Sequence, residues 1–533
     1  MAVDDADPPA TRFDWHPEPD LVGFGDPSAR PALEALGRDA WAAALDYLYD
    51  HAFVRAMGEP AGYVELRAEF FGPTGLPSPA PLDPTPSADL LDEFRTRVAP
   101  HQLNAYHPRS LSYFTPPPLA MSVVGELLAQ VTQQGVDVWH AGPLATFIEE
   151  EVVRWLCDLV GYDRASFGLL TSGGVMANFL AMALVRDVRL PAIRGLAGPP
   201  RGAALEGVRI YTSDQTHFSI ARALDELGFP GDTLVVLPTD DRFRLHPEPV
   251  REAIARDRAA GHTPVAISAV AGSTNTGSVD LLEPLAELAR GEGLWFHVDA
   301  AYGAAARLSA RDSARVPGLE LADSVTVDPH KWFFQAYDIG GLMVRDGSLL
   351  ERTFGARQPE YYRGGEGPAG LAGAAGTAGA TADDDGHDVP GQLNFYKLGF
   401  EGTRRWRALK LWMSWKHVGT RGFGRLVEAN VDLAGLLARR CEASDDFEAV
   451  PPEPELSVVC FRHRPPGFAE GPDLDAHQDR LQAALEVDGD GWLSTTSLRG
   501  QTWLRAGILN PNTMPADIDR LLATLRRLAA GLP

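Results

Sequence analysis

The sequence predicts an α/β fold with a mainly parallel sheet, followed by a small C-terminal α+β domain. First, buried-strand patterns alternate with helical patterns from Phe167 to Val327, which implies parallel strands with helices on both faces. Second, strand and helix patterns resume in shorter pieces after Pro454. Third, 533 residues are too many for one small core and suit a large domain with smaller partners.

The part of the chain before the sheet is predicted as an N-terminal arm of residues 1–106. It holds an amphipathic stretch at Ala35–Arg55 and a proline-rich connector at Gly72–Pro86. Apolar residues then recur with helical spacing at Leu119–Gln133 and Leu144–Leu159. These two helices open a large domain that we assign to residues 107–400.

The elements of the sheet follow in chain order. A short apolar run bounded by turn residues predicts a strand, and a longer periodic run predicts a helix. The predicted strands are Phe167–Thr171, Val208–Thr212, Thr233–Leu237, Pro264–Ala271, Leu294–Val298 and Ser324–Val327. The predicted helices between them are Gly174–Arg186 and Leu281–Arg290.

The composition changes sharply after the sheet. Between Arg363 and Gln392 the chain is rich in glycine, alanine and aspartate, which cannot build a packed core, so residues 361–392 are predicted as a long mobile loop. A helical pattern at Gly402–Val418 opens a C-terminal domain of residues 401–533. The later patterns of that domain are Pro454–Phe461, Leu474–Glu486, Trp492–Leu498, Trp503–Ile508 and Pro515–Leu528.

Charge and cysteine content exclude several classes of function. The formal net charge of −24 argues against nucleic acid as a partner, because phosphate binding relies on clustered Lys and Arg. The acidic N-terminus lacks a secretory pattern, and no apolar run predicts a membrane span. Neither CxxC nor metal-ligand spacing occurs among the three cysteines, which is typical of free thiols in a reduced compartment. We therefore expect a cytoplasmic protein.

Two strand ends carry residues suited to one chemistry. An apolar strand ends at Asp299, a carboxylate that needs a cationic partner if it is buried. The next strand ends just before Asp328-Pro-His-Lys331, and Lys331 is one of only four lysines in the chain. A lysine amine can form a Schiff base with the aldehyde of pyridoxal phosphate, while a carboxylate holds the ring nitrogen protonated. The pair therefore predicts a site for this cofactor.

Three further strand ends add small or polar residues to the same edge. After one strand, Ser172-Gly-Gly-Val175 opens a helix, and glycines at a helix N-terminus suit a phosphate as well as a plain turn. His217 follows another strand, where its ring could stack on an aromatic cofactor or serve the structure. The segment Ala271-Gly-Ser-Thr274 suits a phosphate or ring contact and equally a turn.

In their order along the chain, these blocks resemble the group II pyridoxal-phosphate-dependent amino-acid decarboxylases, which include aromatic-L-amino-acid, glutamate, histidine and 2,4-diaminobutyrate decarboxylases. The resemblance runs from about His107 to the C-terminus and is most specific in His297-Val-Asp-Ala-Ala-Tyr302 and Asp328-Pro-His-Lys-Trp332. It implies the fold-type I transferase-like architecture, with a seven-stranded sheet in the large domain. The implied cofactor is pyridoxal 5′-phosphate.

The resemblance also assigns residues to the cofactor. It implies that Lys331 forms the Schiff base, that Asp299 pairs with the ring nitrogen and that His217 stacks on the ring. The family commonly has Asn where Asp328 stands. The other implied cofactor contacts are Ala301 on the second ring face and Gly173, Gly174, Val175, Thr274 and Asp328 around the phosphate.

For catalysis, the resemblance points to Lys331 and His217 again, and also to His330 and to one loop tyrosine. His330 resembles the histidine that contacts the substrate-bound cofactor and moves protons. Tyr361 resembles the tyrosine that protonates the substrate carbon after carbon dioxide leaves, with Tyr362 as an alternative. A tyrosine at this position favours decarboxylation over aldehyde synthesis.

Substrate contacts are likewise implied by the family. Arg404 resembles the arginine near the substrate carboxylate, with Arg405 and Arg407 as alternatives. The implied side-chain contacts are Thr115, Pro116 and His140. The segment that holds His140 would cross the interface of a homodimer, which places the active site at that interface.

The resulting hypothesis is the conversion of an L-amino acid to its amine and carbon dioxide. The alternatives are an aldehyde synthase or a carbon–carbon lyase on the same fold, and a catalytically silent binding protein. We expect no nucleic acid and no membrane as partners. The other lysines, Lys397, Lys410 and Lys416, are predicted on solvated faces near the helix that follows the loop.

Overall fold

A computed structural model describes residues 29–59, 62–72, 74–355 and 392–532. The predicted loop, with Tyr361 and Tyr362, lies outside the described residues except at Gln392. The chain divides into two compact units, of which the first ends at Asn104 and the second begins at Ala105. The proposed domain limits at 106/107 and 400/401 stay predictions.

Proline marks the start of several helices. Pro143, Pro247, Pro472 and Pro515 each occupy a first helical turn, where the fixed φ of proline fits and its missing N–H is not needed. None of the described helices is both long and apolar enough to cross a membrane. The described α-helices are Arg30–Asp46 (α1), Tyr63–Phe71 (α2), Ser87–Glu93 (α3), Ala120–Thr132 (α4), Pro143–Val160 (α5), Gly174–Leu184 (α6), Leu190–Arg194 (α7), Ser219–Glu226 (α8), Pro247–Ala259 (α9), Leu282–Glu292 (α10), Ser348–Phe354 (α11), Ala408–Glu442 (α12), Pro472–Asp488 (α13) and Pro515–Ala529 (α14).

The second unit contains two sheets. The strands are Phe167–Thr171 (β1), Val208–Ser213 (β2), Leu234–Leu237 (β3), Thr263–Val270 (β4), Trp295–Asp299 (β5), Ser324–Val327 (β6), Gly340–Val344 (β7), Phe447–Val450 (β8), Val458–His463 (β9), Ser494–Leu498 (β10) and Gln501–Gly507 (β11). The large sheet has the order β1-β7-β6-β5-β4-β2-β3. Only β7 is antiparallel to its neighbours, so the predicted mainly parallel seven-stranded sheet is confirmed.

The strand directions place the carboxyl ends of six strands at one edge of the large sheet. Because β7 is antiparallel to both β1 and β6, strand β1 runs in the same direction as β2, β3, β4, β5 and β6. Across β4, β5 and β6, the residues Val270, Asp299 and Thr326 lie side by side in register. The segments predicted to carry chemistry follow these ends, as is usual for ligand sites of parallel sheets.

The C-terminal part is a four-stranded antiparallel sheet of order β10-β11-β9-β8, packed with helices around its own apolar core. This confirms the predicted small α+β fold. The sequence patterns missed β7 and β8. They also placed the start of α12 six residues early, at Gly402 instead of Ala408, because Arg404, Arg405 and Arg407 precede the helix and are held by tertiary ion pairs.

One lysine prediction is wrong. Lys410, expected on a solvated face, is fully buried in α12, where its Nζ lies 2.9 Å from Glu126 Oε2 of α4. Its Nζ also donates a hydrogen bond to the carbonyl oxygen of Asp338 at 3.1 Å. The helical pattern could not reveal this, because the carboxylate partner is far away in sequence. Lys416 is exposed as expected, whereas Lys397 is partly buried.

Candidate active site

Lys331 lies in the turn after β6 and lines a cavity of about 470 Å³ at the shared edge of the sheet. Its Nζ is 3.2 Å from Asp328 Oδ2 and 5.5 Å from the centre of the Phe114 ring. All four lysines belong to the described residues, and Lys331 alone lines this cavity. The structure therefore places one amine in a cleft, beside one carboxylate.

His330 lines the same cavity and is held by Ile339, the residue directly before β7. Its Nδ1 accepts a hydrogen bond from the Ile339 N–H at 3.3 Å, so the proton of the neutral ring belongs on Nε2. Nε2 lies 3.7 Å from Asp328 Oδ2. Burial lowers the pKa of His330 below its usual value, which favours that neutral ring at pH 7. Its ring also contacts the Tyr337 ring at 4.9 Å.

Asp299 ends β5 and is only 7% exposed. Its Oδ1 accepts the N–H of Ala301 at 3.1 Å, and its Oδ2 accepts a hydrogen from Asn178 Nδ2 at 2.8 Å. In the part of the chain that is described, Asp299 forms no ion pair with a Lys, Arg or His nitrogen within 4.0 Å. A buried carboxylate without a cation is costly, so this wall of the cavity suits a positively charged ligand group.

His217 and Ala301 also line the cavity. His217 Nδ1 lies 2.8 Å from Ser219 Oγ, and the Ser219 N–H donates to the same Nδ1 at 3.3 Å. Burial lowers the pKa of His217, although Asp299 partly opposes this effect. The result is a neutral imidazole at the cavity wall.

The glycine turn after β1 closes another wall. Gly173, Gly174 and Val175 line the cavity together with Thr274 from the end of β4. A Cβ on Gly174 would lie 2.8 Å from Asp328 Oδ2, so a side chain there would have to displace that buried carboxylate. Helix α6 begins at Gly174, and the N–H groups of a first helical turn have no acceptor within the helix. They are available to an anionic group.

Sequence comparison decides the family. The family model described as "Pyridoxal-dependent decarboxylase conserved domain" matches residues 73–377 and 381–464. The chain belongs to this family. It is a pyridoxal-phosphate-dependent amino-acid decarboxylase, a carboxy-lyase, and its fold is the predicted fold-type I architecture.

Individual relatives of this decarboxylase agree with the family match. It is 33% identical over 423 residues to an aromatic-L-amino-acid decarboxylase of Bacillus atrophaeus, covering 79% of this chain and 81% of that protein. It is 31% identical over 459 residues to an L-2,4-diaminobutyrate decarboxylase of Rhizobium meliloti (strain 1021), covering 85% of each. The crystal structure of mouse CSAD, at 28% identity, matches with a TM-score of 0.81 over 94% of this chain and 100% of that one.

The cavity of the decarboxylase fits its cofactor. Asp299 is a buried carboxylate without a cationic partner among the described residues, and a protonated ring nitrogen would supply one. Lys331 offers the amine for the aldehyde, and the first turn of α6 with Thr274 offers donors for the phosphate. These residues therefore match the aldehyde, the ring nitrogen and the phosphate of pyridoxal phosphate.

Asp328 has a different environment from the one that the family comparison implied. An ionised carboxylate has no hydrogen to donate to a phosphate. In the decarboxylase, Asp328 Oδ2 faces Lys331 Nζ at 3.2 Å, while Oδ1 is buried without a hydrogen-bond partner among the described residues. The geometry favours Asp328 as the partner of the lysine. Its predicted phosphate contact stays a prediction.

Arg404 is not in the cavity of the decarboxylase. It is 1% exposed, pairs with Glu149, and donates to the carbonyl oxygens of Val136 at 2.9 Å and Leu170 at 2.7 Å. Among the described residues, the alternatives Arg405 and Arg407 do not line the cavity either, and each pairs with a carboxylate of its own. The geometry favours a structural role for Arg404, and its contact with the substrate stays a prediction without local support.

The other predicted substrate contacts, Thr115, Pro116 and His140, do not line the cavity. Phe114 is a wall residue, whereas its neighbours Thr115 and Pro116 are not. His140 is exposed, with its ring 5.0 Å from that of Trp139. Their contacts with the substrate stay predictions.

Sequence reasoning missed Arg505, in the middle of β11. This residue is 4% exposed, and its guanidinium carbon lies 4.7 Å from the centre of the Phe114 ring. Its Nε donates to the carbonyl oxygen of Thr274 at 2.8 Å, while Nη2 has no hydrogen-bond partner among the described residues. One signal was available: a single arginine interrupts the otherwise apolar run from Trp503 to Ile508.

Proposed function

We propose that this decarboxylase acts on an L-amino acid with an aromatic side chain, releasing carbon dioxide and the aromatic amine. The observation that carries this proposal is the composition of the cavity wall. Phe114, Phe218, Tyr302 and Tyr337 line it. Flat apolar walls of this kind favour an aromatic ligand over an acidic or a diamino one.

The charged residues of the wall support the same choice. Lys331 pairs with Asp328, and Asp299 faces the place that suits a ring nitrogen. Burial keeps His217 and His330 neutral, since it lowers both pKa values. Within the described lining, no further charge is available to an acidic or basic substrate side chain, and a buried charge without a partner is costly. The buried cation Arg505 contacts the lining residue Phe114 and is assigned below to the substrate α-carboxylate, not to the side chain.

The proposed roles of the cofactor residues follow from their chemistry. When bound, pyridoxal phosphate supplies an electron-withdrawing ring that accepts the electron pair released from the Cα–carboxylate bond. Lys331 Nζ binds its aldehyde, and Asp299 holds the proton at its ring nitrogen. His217, Ala301, Gly173, Gly174, Val175 and Thr274 all line the cavity. His217 and Ala301 would hold the two ring faces, and the N–H groups of Gly174 and Val175, with Gly173 and Thr274 beside them, would bind the phosphate.

For the substrate carboxylate, we propose Arg505. Arg505 does not itself line the cavity, but it contacts two residues that do, Phe114 and Thr274. Its buried guanidinium has no carboxylate within 4.0 Å in the part of the chain that is described, and it shares the Phe114 ring with Lys331. An arginine fork matches a carboxylate in two hydrogen bonds and would fix the direction of the bond that breaks. His330, with its proton on Nε2, is the proposed proton carrier beside Lys331. The roles of Tyr361 and of Tyr362 stay predictions.

We also propose a homodimer. Val124, Leu127, Leu128 and Val131 recur with helical spacing on α4 and are 37–61% exposed, which leaves an apolar face open opposite the one packed on α12. Exposed apolar residues of the cavity rim, among them Phe218 at 53%, extend the surface that a second copy would cover. The implied placement of the active site at the dimer interface agrees with this rim.

The proposed compartment is the cytoplasm. It rests on the sequence expectation and on the three cysteines, which are all buried free thiols. Burial raises the pKa values of all three, to about 11 for Cys157 and to about 12 for Cys441 and Cys460, which keeps them protonated.

A substrate panel tests the proposed function. The protein, loaded with pyridoxal phosphate, is given L-phenylalanine, L-tyrosine, L-tryptophan, L-glutamate, cysteine sulfinic acid and L-2,4-diaminobutyrate, and products are measured by mass spectrometry. We expect the three aromatic amino acids to be converted to their amines with a kcat/KM at least tenfold above that of the other substrates. The variant Lys331→Ala is expected to lose the visible cofactor absorbance and all amine formation, whereas the exposed-site control Lys416→Ala retains both.

Each contrary outcome has a definite meaning. Preferential turnover of an acidic or diamino acid would overturn the aromatic substrate. Aldehyde, ammonia and hydrogen peroxide in place of amine would favour the aldehyde synthase alternative. Unchanged absorbance in Lys331→Ala would remove Lys331 as the residue that binds the cofactor.

A further inference from the structure

Asn178, in the first turns of α6, is the most connected polar side chain at the cavity wall. It is 1% exposed and uses both ends of its carboxamide. Its Nδ2 donates to Asp299 Oδ2 at 2.8 Å and to Ser219 Oγ at 2.8 Å. Its Oδ1 accepts from Thr326 Oγ1 at 2.6 Å and from His297 Nε2 at 3.1 Å. The four partners come from three different elements of the fold.

The direction of each hydrogen bond is determined by its acceptor. An ionised carboxylate only accepts, so the atom of Asn178 that faces Asp299 must be the amide nitrogen. The amide oxygen then faces Thr326 and His297, and His297 must carry its proton on Nε2 to donate to it. Complete burial lowers the pKa of His297, in agreement with a neutral ring.

The other ring nitrogen of His297, Nδ1, is also hydrogen-bonded. Its Nδ1 lies 2.9 Å from Ser324 Oγ, and that oxygen accepts a hydrogen from Trp295 Nε1 at 2.9 Å. The Ser324 hydroxyl therefore donates to His297 Nδ1. Every hydrogen-bonding atom of His297 is used, so the amide of Asn178 is held in one orientation.

The second branch leads from Asn178 to His217. Ser219 Oγ accepts from Asn178 Nδ2, which leaves the Ser219 hydroxyl hydrogen for His217 Nδ1, 2.8 Å away. The N–H of Ser219 donates to the same Nδ1. Since Nδ1 accepts, the proton of the neutral His217 ring belongs on Nε2. One carboxamide thus reaches both Asp299 and His217.

We infer that Asn178 is a positioning residue that holds the carboxylate of Asp299 and, through Ser219, the ring of His217 in one fixed arrangement for the cofactor. This inference rests on the proposed cofactor contacts of Asp299 and His217. Asn178 does so by two donated hydrogen bonds that share a single nitrogen, so the carboxylate and the imidazole cannot shift independently. The Thr326 and His297 bonds on its oxygen keep that nitrogen aimed at the site.

The variant Asn178→Asp separates the role of the amide nitrogen from that of the amide oxygen. It keeps an oxygen for Thr326 and His297 but replaces the donor by a carboxylate oxygen that faces Asp299. Losing a charge-assisted hydrogen bond and adding a like charge is expected to raise the Kd for pyridoxal phosphate at least tenfold. The Kd is measured by titrating the cofactor-free protein and following the visible absorbance.

Ser219→Ala tests the second branch alone. It leaves the bond from Asn178 to Asp299 in place and removes the hydroxyl that holds His217 Nδ1. We expect the Kd for pyridoxal phosphate to stay within about threefold of wild type, while kcat falls about tenfold because the ring of His217 loses its fixed orientation.

Asn510→Leu is the matched control for loss of a buried amide. Asn510 is 2% exposed, donates to the carbonyl oxygens of Ala105 at 2.9 Å and His107 at 2.8 Å, and does not line the cavity. It is expected to lower the midpoint of thermal unfolding without changing the Kd for the cofactor. If Asn178→Asp bound the cofactor with wild-type affinity, or no more weakly than Asn510→Leu, the inference would be overturned.

The two proposals fail in different ways. If wild-type protein shows no cofactor absorbance, or keeps it in Lys331→Ala, the proposed function fails whatever Asn178 does. If wild type and Lys331→Ala behave as expected but Asn178→Asp is normal, only the positioning role fails. Should Asn178→Asp be insoluble, a kcat of wild-type magnitude in Ser219→Ala would still overturn the coupled arrangement.

Discussion

Arg404 and Arg505 are almost equally buried but differ in their partners. Arg404 meets Glu149, a carboxylate that is also fully buried. Arg505 meets backbone carbonyl oxygens and the Phe114 ring, and no acidic side chain of the described residues lies within 4.0 Å. Burial lowers the pKa of Arg505, although an arginine stays charged in proteins. An unpaired buried cation beside a cavity favours an anionic ligand.

Replacing Arg505 tests its role with the substrate. Arg505→Gln keeps the polarity but removes the charge, so kcat/KM for the best amino acid is expected to fall at least 100-fold, while the Kd for pyridoxal phosphate changes less than threefold. Arg505→Lys should recover only part of the loss, because a lysine cannot form the two-bond fork. Steady-state kinetics and cofactor titration measure the two quantities.

A matched variant of Arg404 should behave differently. Arg404→Gln leaves Glu149 buried without its cation and is expected to cost about 3 to 5 kcal/mol in the free energy of unfolding. Its folded fraction should retain a KM close to wild type. If instead Arg404→Gln raised KM strongly and Arg505→Gln did not, the family-based prediction for Arg404 would be restored.

At the scale of elements, the beginning of α12 is fastened to α4 by a small charge network. Glu126 of α4 pairs with Lys410 and with Arg405, and Asp338 pairs with Arg405 at 2.9 Å. Lys410 also donates to the Asp338 carbonyl oxygen. Asp338 directly precedes Ile339, whose N–H holds His330. The network therefore connects helix packing to a residue of the cavity wall.

Removing the buried lysine should weaken that attachment. Lys410→Met takes away the cation, but Glu126 keeps Arg405 as a partner, so we expect a loss of about 2 to 3 kcal/mol in the free energy of unfolding. Chemical denaturation followed by circular dichroism measures it. The control is Lys416→Met on the same helix, an exposed residue over the Trp412 ring, for which less than about 1 kcal/mol is expected.

A loss of equal size in both lysine variants would show that the network contributes little. The double variant Glu126→Leu with Lys410→Met provides a second check. If the pair matters mainly because each partner would otherwise be buried with an unmatched charge, the double variant should be at least as stable as Lys410→Met alone.

At the scale of the whole molecule, the apolar face of α4 is exposed in the single chain. Leu127, at 61% exposed, lies at the centre of this face. Leu127→Glu would place a charge in an apolar contact and is expected to convert most of the protein from dimer to monomer in sedimentation equilibrium. The control Met514→Glu, at a similarly exposed residue before α14, should leave the mass unchanged. A monomeric wild type would contradict the proposed dimer.

Much of the fold could be predicted from local patterns. The predicted bounds of β1 and β6 agree with the structure, because both strands are short, apolar and bounded by turn residues. By contrast, β7 was missed, since its Gly340-Gly341 start resembles a turn and its antiparallel pairing with β1 and β6 depends on residues far away in the chain. The proposed cofactor lysine, Lys331, was identifiable, because lysine is rare here and Lys331 follows a strand end.

The sequence by itself determined the order of strand ends, and with it the gathering of Lys331, Asp299 and His217 at one edge of a parallel sheet. Those residues follow strands whose apolar pattern is local, so short-range physics is sufficient to place them. The tertiary structure alone decided which buried charges are already paired. Arg404 and Lys410 meet carboxylates, whereas Arg505 meets none in the described residues. The energy of a buried charge depends on partners brought together only by packing, and no local pattern records them.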